Sequence, residues 1–92
     1  MKRKKEDLFL VCINNSENGT EKIIAFCNSD DAGKCLLEQH LLYLQRLVDR
    51  NCEIVEDYYE DYEWKIEVNH YGKTIFYSCD ICKCEWGEPD GN

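Results

Sequence analysis

No run of apolar residues in this chain reaches the length of a signal-peptide core or a membrane span. The longest, Leu8 to Ile13, is the size of one strand. That shortage predicts a cytoplasmic chain that does not cross a membrane and whose thiols stay reduced. Catalytic motifs are equally scarce. Gly33-Lys34 lacks the remainder of the Gly-x-x-x-x-Gly-Lys-Ser/Thr loop that cradles phosphates. The calcium-loop spacing of an EF-hand, with its glycine, is missing as well. His40, which reads as a helix-flank residue, and His70, in a turn, have no recognisable nucleophile motif around them. These absences predict a non-enzymatic protein with no catalytic residues and no cofactor. There is no internal repeat and no linker, so residues 1–92 read as one small domain.

Positive charge is also in short supply. Eleven Lys and Arg face 19 Asp and Glu, a formal charge of −8. Four of those bases, Lys2, Arg3, Lys4 and Lys5, fall in a basic tail over residues 1–6 that is expected to be flexible and solubilising. The remaining 7 bases stand against all 19 acids, or −12, well beyond the charge that keeps a small domain soluble. Residues 87–92 are expected to fray. The deficit is sharpest from Glu53 to Glu63, where six carboxylates and three tyrosines occur in eleven residues with no Lys or Arg.

What is present organises into an α+β pattern. Leu8–Ile13 and Glu21–Cys27 are β-rich runs flanking Asn18-Gly19, the strongest short hairpin signal, which would pair Glu17 with Thr20 and Ile13 with Ile24. Ser29 reads as a helix N-cap, with Asp30 and Asp31 at the positive end of the helix dipole. From Ala32 to Val48, apolar residues at Leu37, Leu41, Leu44 and Val48, and at Cys35, Leu36, Leu42, Tyr43 and Leu47, predict a helix with a broad buried stripe. Asn51 suits a left-handed cap. Tyr62, Trp64, Ile66 and Val68 then alternate with polar residues, a half-buried strand. Asn69 to Gly72 turn the chain into a return strand, Lys73–Cys79, which Cys82–Trp86 can extend. The expected fold is an antiparallel sheet of four to five strands in ββαββ order, with one helix on one face.

If the strand runs straight back from Glu67, the odd positions Glu63, Asp61, Tyr59, Asp57, Val55 and Glu53 share one face, each about 6.7 Å from the next. Such a row presents charge somewhat as a nucleic-acid backbone does. Tyrosine adds amphipathic contact area favoured at interfaces. The plain alternative is a solvated sheet face whose acids prevent edge-to-edge aggregation. Adjacent like charges relieved only by Lys65 cost stability that neutral polar residues would spare, which favours recognition. In size and charge the chain resembles small acidic proteins that inhibit DNA-handling enzymes, such as phage anti-restriction and anti-CRISPR proteins. The resemblance implies a partner protein with a basic groove, normally occupied by nucleic acid, and no direct contact with nucleic acid. The candidate partner-binding residues are Glu53, Glu56, Asp57, Tyr58, Tyr59, Glu60, Asp61, Glu63 and Glu67.

Seven cysteines are an odd number, against a complete disulfide framework. Cys79-Asp80-Ile81-Cys82-Lys83-Cys84 holds one Cys-x-x-Cys, half of a tetrahedral zinc site; no second such pair occurs in the sequence, and Cys84, Cys52, Cys12, Cys27 or His70 would have to converge in space to complete it. Strand-borne cysteines also serve as small buried hydrophobes. The expectation is no metal. The alternative function is a small zinc-stabilised adaptor built on Cys79, Cys82 and Cys84.

Overall fold

The computed structural model describes residues 6–86. The expected basic tail and frayed end lie outside that range, except for Glu6, which opens the first strand. Five strands and one helix follow: β1 (Glu6–Asn15), β2 (Gly19–Phe26), α1 (Ser29–Asp49), β3 (Glu53–Tyr59), β4 (Glu63–His70) and β5 (Lys73–Trp86). All pair antiparallel in one sheet of order β2-β1-β5-β4-β3. The fold is α+β as expected, but the ββαββ order is not matched.

The difference arises where the acids are densest. Instead of one strand from Glu53 to Asn69, the chain bends at residues 60–62 and doubles back as a hairpin. The Glu60 amide donates to the Glu63 carbonyl (2.8 Å) and closes the bend. The 14-residue β5 also differs from expectation. Its second half does not extend an edge; it lies at the centre of the sheet and pairs with β1 from Tyr77 to Trp86.

The first hairpin shifts register for a local reason. The Asn15 side-chain carbonyl accepts from the amides of Glu17 (2.9 Å) and Asn18 (2.7 Å). That side chain organises a three-residue loop, which ends on Gly19 in the left-handed region at φ 79°. Beyond it a bulge at Glu21 shifts the pairing by one residue, so that Ile13 faces Lys22 and Ile24 faces Val11. The shift leaves Ile13 and Ile24 on the same face. The β4–β5 hairpin is a two-residue turn with φ of 52° at Tyr71 and 79° at Gly72, as a type I′ turn requires.

The helix cap falls one residue earlier than expected. Asn28 is the N-cap, and its side-chain carbonyl accepts from the Asp31 amide at 2.8 Å. Asn51 adopts the expected left-handed conformation at φ 58°. Only one of the two apolar stripes is buried: Ala32, Cys35, Leu36, Tyr43 and Leu47, with His40 among them. Leu37, Leu41, Leu42 and Val48 remain exposed. A single helix lying on a sheet has one contact face, so a stripe broader than that face meets water.

The buried stripe packs on Val11, Ile13, Trp64, Ile66, Val68, Ile75 and Cys79. Trp64 is fully buried, and its indole N–H donates to the Leu36 carbonyl at 3.0 Å, tying helix to sheet. Leu36→Ala is expected to cost about 2–5 kcal/mol, as for other fully buried leucines. Leu41→Ala should cost under about 1 kcal/mol, because the side chain is already 58% exposed. Urea unfolding of the two variants checks this; equal losses would mean that the outer stripe is covered too.

Candidate functional site: the uncovered face of the sheet

Antiparallel partners share a face, so the register assigns each strand residue to the helix side or to the opposite, open side. On β3 and β4 the pairs Ile54–Val68, Asp57–Ile66 and Tyr59–Trp64 lie under the helix. Glu53–Asn69, Glu56–Glu67 and Tyr58–Lys65 lie on the open side. The alternation does not run evenly from Glu53 to Tyr59. A bulge at Val55, between Ile54 and Glu56, inserts one extra residue and reverses the faces beyond it. The straight row expected along the odd positions is therefore replaced by two antiparallel half-rows.

Glu53, Glu56, Glu63 and Glu67 gather on the open face, with Tyr58 among them. Glu56, Tyr58, Glu63, Lys65, Glu67 and Phe76 line one depression of about 310 Å³. Phe76 is 52% exposed there, and nothing in its sequence context singled it out. Glu60 joins this group from the bend. The nearby Glu60 carboxylate, then partial desolvation and the charge of Glu63, push the Tyr58 phenol up to about 12.

Asp57, Tyr59 and Asp61 fall elsewhere. The Asp57 carboxylate lies 2.7 Å from His40 Nε2, whose ring packs 5.0 Å from Tyr59 and 5.5 Å from Trp64. His40 is thus a buried helix residue, not a flank one, and its 4-3-4 spacing with Leu36, Tyr43 and Leu47 carries that signal in the sequence. Asp61 lines a separate depression with Tyr62, Ser29, Gly33 and Lys83.

The cysteine cluster divides between the two faces. Cys79 is buried beneath the helix at 1% exposure, with its thiol pushed up to about 12, chiefly by burial and next by the charge of Cys35. Cys82 and Cys84 are exposed on the open side. Three residues of alternation separate Cys79 from Cys82, so the two point to opposite faces and cannot grip one ion. The Cys79/Cys82/Cys84 zinc site is corrected on that ground. Two groupings that spacing does not display appear instead: Cys52 Sγ lies 3.3 Å from His70 Nδ1, and Cys12 meets Asp80 and Cys82 on the open face. Both depend on strand pairings between distant segments. None of the seven cysteines is in a disulfide.

No family model, curated protein or solved structure matches this chain. Among the described residues, no helix is long and apolar enough to cross a membrane.

Two outcomes follow from this geometry. Asp57→Ala should cost about 1 kcal/mol by removing the partner of a buried imidazole, whereas neutralising the open-face acids should not. Stability should also fall in alkali. The Cys79 thiol ionises far more readily in the unfolded chain, near its ordinary 9.0, than in the folded one. Its contribution is complete below about pH 9 and is lost as pH rises toward about 12. Tyr58, raised from 10.0, adds to the loss over the upper part of that range. Urea unfolding across pH 7–11 measures the slope, and Cys79→Val should flatten its lower part; an unchanged slope would remove Cys79 as its source.

Proposed function

We propose that the protein is a non-enzymatic binding module that receives a basic surface of a partner protein on the open face of its sheet. The observation that carries this reading is the convergence of Glu56, Glu63 and Glu67, from two strands, on one depression floored by Tyr58 and Phe76. Glu53 and Asp80 extend the negative charge on the same face, and of the described residues Lys65 is the one base set among them. Held on paired strands, these carboxylates are pre-positioned, so a cationic partner meets little further ordering cost. Lys65 flanked by acids also gives an incoming arginine-rich surface a register, through one repulsive element among attractive ones. The two aromatics supply desolvated contact area, which charge alone does not.

A groove that normally holds nucleic acid has the complementary sign, and occupying it would inhibit a nucleic-acid-processing enzyme. A phage anti-defence role, against restriction or CRISPR enzymes, is the form of this proposal that size and charge favour. The cytoplasm, where such enzymes work, is the corresponding location.

Affinity capture from host lysate, with mass spectrometry, tests the reading. The wild-type bait should enrich nucleic-acid-binding proteins, and the Glu56→Gln/Glu63→Gln/Glu67→Gln bait should lose them. For a recovered partner the triple variant should bind with a slower on-rate and a flatter salt dependence. Its thermal stability should hold or rise, since like-charge repulsion across Glu56–Glu67 is relieved. Asp30→Asn/Glu38→Gln/Asp49→Asn, on the helix, removes the same charge from the other side. Equal weakening by this control would mean that net charge alone matters and that the open face is merely solvated.

A further inference from the structure

The geometry points to a binding site for a thiophilic divalent cation of the zinc class on the open face, formed by Cys12, Asp80 and Cys82. Cys12 on β1 pairs directly with Asp80 on β5, and Cys82 lies two residues further along β5 on the same face. One ligand atom from each lies within 4.8 Å of the other two, and Cys82 Sγ is 3.9 Å from an Asp80 carboxylate oxygen. Metal–sulfur bonds of about 2.3 Å at the tetrahedral angle separate their sulfurs by about 3.7 Å. A contraction of about 1 Å or less, within the reach of side-chain rotation, closes the site.

Three features favour an ion over incidental neighbours. Asp80 is half-buried, and no Lys or Arg among the described residues forms an ion pair with it. Ionised, the three groups would crowd like charges together at this spacing. A shared cation turns that repulsion into attraction. Diagonal neighbours on antiparallel strands also sit about 7–8 Å apart at Cα, more than a disulfide spans without strain, whereas an ion bridges the gap. On binding, each thiol releases its proton to solvent as its sulfur–metal bond forms. Soft sulfur donors select zinc-class ions over magnesium or calcium. None of its three ligands lines the depression, although Asp80 shares its face, and the site departs from the metal-free expectation drawn from the sequence.

Cobalt(II) titration of chelator-treated, reduced protein is the test. One ion per chain should bind, with sulfur-to-cobalt charge-transfer absorption and visible bands of tetrahedral intensity, and zinc should displace it. Cys12→Ser and Cys82→Ser should each remove much of the charge-transfer band and weaken zinc binding by roughly tenfold or more. Asp80→Asn should weaken zinc binding while leaving the sulfur band in place. Cys84→Ser and Cys27→Ser should change nothing. Cys82 is exposed, so its variant is expected to fold, with circular dichroism as the check. Cobalt binding without sulfur bands, or bands that survive in the Cys12→Ser/Cys82→Ser double variant, would each overturn the site.

Discussion

One helix cannot cover both sides of a five-stranded sheet, and most of this molecule's character follows from which side it covers. Trp64 decides the matter. Fully buried, and bonded through its indole N–H to the Leu36 carbonyl, it fixes the helix over the face that carries Val11, Ile13, Ile66, Val68 and Cys79. Every residue of opposite parity is then directed away from the helix. Those positions carry Glu53, Glu56, Glu63, Glu67 and Asp80, together with Tyr58, Phe76, Cys12 and Cys82. The chemistry that distinguishes this chain is therefore concentrated on the side its fold leaves uncovered.

The bulge at Val55 refines that division. Without it, Glu56 would follow Ile54 toward the helix and Asp57 would point outward. With it, Glu56 joins Glu67 on the open face, while Asp57 reaches under the helix to His40. One inserted residue thus serves both sides of the edge strand. It satisfies a buried imidazole with a carboxylate and adds a second carboxylate to the depression.

Much of this was legible in the residues themselves. The period-2 pattern from Trp64 to Val68 marks β4 and its buried side, the long apolar period marks α1, and Asn51 and Gly72 mark their turns through the φ they tolerate. What escaped was set by tertiary context. Pattern alone cannot separate a straight acidic strand from a hairpin when no glycine or Asn-Gly pair marks the bend, as at residues 60–62. A bulge has no fixed sequence signature, so parity counted back from Glu67 reversed at Val55. Leu37, Leu41 and Val48 share the helical period of the true core stripe, and only the width of a single contact face excludes them. For the candidate site, Glu53, Glu56, Tyr58, Glu60, Glu63 and Glu67 were within reach of composition. Phe76, and the approach of Cys12 to Asp80 and Cys82, required the β1–β5 and β4–β5 pairings, which join segments far apart in the chain.

The central claim is that the open face, and not the helix side, receives a cationic partner. Amide and side-chain NMR shifts on titration with an arginine-rich peptide test it most directly, because they report contact residue by residue without altering the protein. The account predicts perturbations centred on Glu56, Tyr58, Lys65, Glu67 and Phe76, saturating together and fading with salt, with Leu37, Leu41 and Val48 unmoved. Shifts centred on the exposed helix stripe, or scattered over every acidic residue in proportion to its exposure, would contradict it.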